Sequence, residues 1–169
     1  MKRLLLVVII IAVVGSAAFA QGAPRKGAFG TQVAATITST GSSPGGALGA
    51  KYMITDAIAL RVMLGFLNNA STTGYDVLAG FEYHFAGKGG VSPYVGAEVG
   101  YSGASISGGG ATSSDFGVDA VFGAEYFFSS NFSWGGEMKL GFDSFTSAVP
   151  TTTTRLFTAV STLLTWYLN

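Results

Sequence analysis

Apolar and polar positions alternate with period two along most of this chain, the signature of β-strands with two unlike faces. No stretch after residue 26 keeps a helical period for a useful length. The alternation predicts eight strands, at 29–38, 47–54, 58–67, 74–85, 93–102, 115–128, 132–143 and 155–168. The breaks between them alternate in kind. Those at 39–46, 68–73, 103–114 and 144–154 are small, polar and mostly longer, whereas those at 55–56, 86–91 and 129–131 run to six residues at most. All carry turn or loop chemistry. The glycine run 108–110 lies in one of the longer breaks and lacks the strand-to-helix setting of a phosphate cradle.

The location of the charges separates the faces. One face carries Val33, Tyr52, Leu60, Val62, Leu64, Val77, Phe81, Val99, Val118, Phe122, Met138, Leu140, Val160 and Leu164, with no charge on it. The other carries Lys51, Arg61, Asp76, Glu82, His84, Glu98, Asp119, Glu125, Glu137 and Lys139, together with many of the glycines. A water-soluble sandwich buries its bulky face and scatters many charges over the wet one. Here the bulky face is aromatic and the polar face is glycine-rich with a few isolated ions. That suits the inverse arrangement, apolar outward to lipid and polar inward to a narrow lumen. A basic side chain on the lipid face at mid-depth costs about 2–4 kcal/mol, which accounts for the empty face. Strands of this length match a tilted crossing, and closure pairs every backbone group, as a bilayer demands. The predicted fold class is all-β, an eight-stranded antiparallel up-and-down transmembrane barrel.

Composition agrees with this and narrows it. The chain has 169 residues, 49% hydrophobic and only 11% charged, with 25 glycines and no cysteine. Disulfides, thiolate metal sites and cysteine nucleophiles are thereby excluded. The formal net charge of zero leaves no footprint for nucleic acid. The opening MKRLLLVVIIIAVVGSAAFAQG has a basic start, an apolar core and Ala18-Phe19-Ala20. It reads as a secretory signal peptide over 1–20, cut after Ala20, since its core is short for a spanning helix. Residues 21–26 then form a lead and 27–169 the barrel domain.

Three phrases carry a likeness beyond the pattern: PYVGAEVGY (93–101), VFGAEYFFSSNFSWGGEMKLGF (121–142) and the ending LLTWYL (163–168). With them the chain resembles the small eight-stranded outer-membrane barrels. These include the transmembrane domain of OmpA, OmpX-type proteins and opacity-type adhesins. The resemblance implies export to a Gram-negative outer membrane, contact with its lipid and lipopolysaccharide, and a monomer. It also implies delivery to the barrel-assembly machinery through the C-terminal strand, although this chain closes on Leu168-Asn169 where the family has a terminal Phe. No peptidoglycan-binding domain follows, so wall tethering is not implied. Both termini and the short turns then face the periplasm, and the longer loops face outward. Tyr83, Phe85, Tyr126, Phe128, Phe132, Trp134 and Trp166 fall on the periplasmic aromatic girdle. Phe66, Tyr75, Tyr101, Phe116 and Phe142 fall on the outer one.

The candidate site is the lumen. The turns place Lys51 opposite Arg61, Gly80 opposite Glu98 and Glu82 opposite Gly96. An Arg61 beside Gly80 crosses that glycine towards Glu98. The expectation is an interior ion network of Lys51, Arg61, Glu82, Glu98, Glu137 and Lys139 that fills the lumen, because unpaired ions in a narrow interior are costly. No catalytic, cofactor or metal residues are assigned. His84 is the sole histidine, and the HxS pattern of the family's lipid A deacylases is missing. A single histidine is also a poor start for a metal centre. Asn69-Ala70-Ser71 and Asn131-Phe132-Ser133 match a glycosylation pattern by chance. The expected role is non-enzymatic, structural or surface-interacting, with the loops open to a host or cell-surface ligand. A narrow gated pore is the alternative, and a lipid-modifying enzyme a distant third.

Overall fold

A computed structural model describes residues 26–38, 45–68, 72–106, 112–147 and 152–168. The signal-peptide segment, the glycine run 108–110 and Asn69-Ala70-Ser71 lie outside the described residues. Eight strands close into a single barrel in chain order: β1 (Phe29–Thr38), β2 (Gly45–Met53), β3 (Ile58–Asn68), β4 (Thr72–His84), β5 (Val91–Ile106), β6 (Thr112–Phe127), β7 (Phe132–Thr146) and β8 (Thr152–Leu168). Every pairing is antiparallel, and β8 closes onto β1.

The register fixes the shape. A line across the strands starts at Phe29 and passes Tyr52, Leu60, Phe81, Ala97, Ala120, Leu140 and Thr158. It returns to β1 one place beyond Thr38, ten residues up from where it began. A stagger of ten over eight strands, at ordinary strand spacings, tilts the strands by about 40° and sets a backbone radius of about 8 Å. Such an interior is filled by side chains rather than by a wide channel.

The outward face is the uncharged one. Val33, Tyr52, Leu60, Val62, Leu64, Phe81, Val99, Phe122, Leu140 and Leu164 are all exposed. Every charged strand residue among the described residues points inward or lines the lumen mouth. Aromatic rings bound this belt. Near the end that carries the termini, Tyr126, Phe128, Phe132 and Trp166 form a continuous chain of ring contacts at 4.9–6.0 Å. Tyr83 and Phe85 make an edge contact at 5.3 Å. Trp134 donates its indole N–H to Thr162 Oγ1 at 2.7 Å, so this outward polar group is satisfied within the barrel wall. At the far end Phe66, Tyr75, Tyr101, Phe116 and Phe142 are exposed, with Tyr75 and Tyr101 6.3 Å apart. The ten steps of β7 from Phe132 to Phe142 climb about 25 Å at this tilt, the height of the apolar band of such barrels.

The near-end turns are short. Thr55 Oγ1 accepts from the amides of Ala57 and Ile58 and pins the β2–β3 turn. Gly89 and Gly90 have φ of 70° and 79° between Lys88 and Val91, the two left-handed central positions of a type I′ turn. The strands depart from the predicted bounds chiefly at the far end. β5, β6, β7 and β8 begin or end three or four residues further out, through Gly103-Ala104-Ser105-Ile106, Thr112-Ser113-Ser114, Ser144-Phe145-Thr146 and Thr152-Thr153-Thr154. Small polar residues lose the alternation signal there, but the antiparallel ladder continues above the apolar belt. β2 likewise starts at Gly45 and β4 at Thr72, so both glycines at 45–46 belong to the ladder rather than to the loop.

Candidate functional site: the lumen

Each hairpin turn sets which lumenal side chains become neighbours. Lys51 stands opposite Arg61, Arg61 opposite Gly80, Gly80 opposite Glu98, and Glu82 opposite Gly96. Gly80 lies between Arg61 and Glu98 in the ladder. A methyl group built there would lie 2.7 Å from both Ala97 O and Glu98 Cβ.

Arg61 is the hub. Its Nη2 donates to Glu98 Oε2 at 2.6 Å, and its Nη1 donates to Glu137 Oε2 at 2.6 Å and lies 3.1 Å from Glu82 Oε1. Lys51 Nζ lies 2.7 Å from Glu82 Oε2 and donates to Glu125 Oε2 at 3.1 Å. Lys139 pairs with Glu98 and, at 3.3 Å, with Glu137. The chain Glu125–Lys51–Glu82–Arg61–Glu98–Lys139 thus crosses the lumen and joins β2 through β7. All six are buried, with Arg61 3% and Glu98 2% exposed. Charges at this depth are tolerable because each is paired with an opposite charge.

Sequence reasoning placed Glu125 inside but left it out of the ion set. It accepts from Ser133 Oγ at 2.5 Å and Tyr167 Oη at 2.9 Å as well as from Lys51. Tyr94, also inside, donates to Glu137 at 3.0 Å and lies beneath Lys51, whose Nζ is 5.3 Å from the ring centre. The signal for both was their alternation parity with Glu98 and Lys139.

The lumen is also less polar than the sequence reading had it. Met53, Phe127 and Tyr167 pack with Ala28 and Ala59 beneath the ions and close the near end. Met63 and Leu163 pack with Ala34, Ala47 and Leu78 above them on one side. Closely packed side chains need apolar bulk between the ions, so the inner face cannot be polar throughout.

His84 lies at the near-end mouth. Its Nδ1 is 3.0 Å from Ser92 Oγ and its Nε2 is 2.9 Å from Glu82 Oε2. The trio has the residue types of a nucleophile relay, but Ser92 is 3% exposed, at the near end of β5 beside Glu125 of β6, and so closed to a substrate. Among the described residues no group of three His, Asp or Glu side chains converges as a metal site.

Above the ions the lumen opens into a cavity of about 290 Å³. Arg61, Glu137 and Lys139 form its floor, Asp76 stands directly above Leu78 on β4 beside Met63, Leu163 lines it from β8, and Asp119 from β6. At its mouth Arg155 holds Asp143 and Asp115, each at 2.8 Å. Asp76 and Asp119 rest on glycines. A methyl group at Gly65 or Gly141 would collide with their carboxylates.

No family model matches the sequence, and no curated relative matches it. Solved structures do match, and they decide the architecture. The N-terminal β-barrel domain of Pseudomonas aeruginosa OprF superposes with a TM-score of 0.61 over 85% of this chain and 98% of that one, at 14% identity. The fold is that of the small eight-stranded outer-membrane barrels. Neisserial surface protein A gives 0.56 over 82% of this chain and 94% of its own, at 19% identity. OprG from Pseudomonas aeruginosa gives 0.53 over 86% and 98%, at 9% identity. Identities this low carry the fold and leave the role to be argued from the lumen.

Proposed function

We propose that this small barrel works in the outer membrane of a Gram-negative bacterium as a non-enzymatic structural or surface-interaction protein, its lumen filled by the ion network. The observation that carries the reading is Arg61, held at once by Glu82, Glu98 and Glu137 in a section where all four are buried. Such a knot leaves no continuous water path through an interior about 8 Å in backbone radius. The near end faces the periplasm and the far end the cell exterior. The apolar belt meets lipid, the far-end girdle meets lipopolysaccharide, and β8 addresses the assembly machinery. The far-end loops are the surface through which a host or cell-surface ligand is met.

A narrow gated pore is the second reading, and one observation favours it. Asp119 lies opposite Glu98 in the ladder and shares the cavity with Lys139. Lys139 therefore has another carboxylate to turn to if its pairing with Glu98 is released. Single-channel recording from planar bilayers separates the two. Wild type and Glu98→Ala are expected to be silent. Steps in either record would overturn the plug and support the gate.

A further inference from the structure

We propose that the far-end cavity is a binding site for a small organic cation, an ammonium group on an apolar body about the size of a phenyl ring. The inference goes beyond a structural or surface role, since it assigns a ligand class to the lumen itself.

Charge comes first. Around the cavity floor and wall, Arg61 and Lys139 face Glu98, Glu137, Asp76 and Asp119. Both cations are already spent on the two glutamates. Asp76 has no ion pair within 4 Å among the described residues. Asp119 is 6% exposed, and its Oδ1 receives no hydrogen bond. Asp119 stands beside Glu98 in the ladder, and this excess of buried carboxylate over cation carries a penalty that a bound cation would offset. The rim adds to the excess, because Arg155 faces both Asp115 and Asp143.

Shape and polarity then select the class. Gly65 and Gly141 are the cradles in which the Asp76 and Asp119 carboxylates lie. Met63, Leu78 and Leu163 line the same cavity and offer nothing to a hydrated ion. No three acidic or histidine side chains converge among the described residues, so a metal ion lacks its ligand set. A volume of about 290 Å³ lined by apolar side chains and two carboxylates is the lining a small amphipathic ligand needs.

Phenethylammonium is the probe. It is titrated calorimetrically into the full folded barrel in dodecyl maltoside, beside 2-phenylethanol, 3-phenylpropanoate and calcium chloride. Saturable one-to-one binding of phenethylammonium is expected, with affinity at least about tenfold above that of the alcohol and at least about tenfold lower in Asp119→Asn. Amide chemical shifts of the unmutated protein supply a readout that needs no variant. Gly65 and Gly141 should move, and Met53 and Tyr167 should not. Equal binding by wild type and Asp119→Asn, equal binding of the alcohol, no saturation, or shifts confined to the near end would each overturn the proposal. Displacement of phenethylammonium by calcium one for one would overturn the organic class. Conductance does not enter: a barrel that conducts would refute the plug and leave this site standing.

Discussion

Glu98 sits on the lumenal face between Gly96 and Gly100, with Gly80 across the ladder. Three glycines around one acid look like waste in a strand, where glycine costs conformational entropy. They allow close packing: a methyl at Gly96 or Gly80 would press on the neighbouring strand's backbone, and one at Gly100 on Leu78. Removing the hub should be severe. Arg61→Ala leaves Glu82, Glu98 and Glu137 to share Lys51 and Lys139 and is expected to cost about 3–5 kcal/mol, read as a lowered urea midpoint of the refolded protein in vesicles. Glu125→Gln is expected to be milder, about 1–2 kcal/mol, because Lys51 keeps Glu82 at 2.7 Å and the amide oxygen still accepts from Ser133 and Tyr167. An equal loss in the two variants would argue against Arg61 as the hub. Bulk at Gly80 should act on the β5 backbone and Glu98. Gly80→Val is expected to fold less efficiently than Gly136→Val, since a side chain at Gly136 meets open space.

At the scale of the strand, the outward face predicts a depth profile. Met138→Arg lies mid-belt on β7 and should cost about 2–4 kcal/mol, whereas Phe66→Arg at the far-end girdle should cost about 0–1 kcal/mol. Equal costs, measured by unfolding in the same vesicles, would mean the belt does not sit at the depth assigned. The same faces were legible in the sequence. Period-two alternation gave every inward charge its side, and short turns left little freedom in register, so Arg61, Gly80 and Glu98 could be aligned by counting from the hairpin ends. The upper strands were not legible, because Ser, Thr and Gly at 103–106 and 152–154 have no face to alternate. Nor was the apolar filling of the lumen. Met53, Phe127 and Leu163 share parity with the ions, and only the closed circumference shows that they must pack against one another. Shortening the β5–β6 hairpin tests the upper ladder directly. Joining Ala104 to Ser113, which pair in the register, through Asn-Gly should leave stability within about 1 kcal/mol, since the removed part stands above the belt.

For the whole molecule, the barrel has unequal halves. β1, β2 and β3 are 10, 9 and 11 residues long, while β5 to β8 run 15 to 17. Height and ion placement are separate matters, because the network lies low enough to be shared by both halves. This difference implies an order in time. The β5–β6 and β7–β8 hairpins join residues close in sequence, through long ladders, and such contacts form early at little entropic cost. The closing ladder joins Phe29 to Leu168, almost the full length of the chain, and its rows are short. Closure should be the late step, with the tall half already standing as a curved sheet and Lys51 and Arg61 arriving last to glutamates held in place. Substitutions in the β7–β8 ladder should then slow folding, and those in the β1–β2 ladder should mainly hasten unfolding.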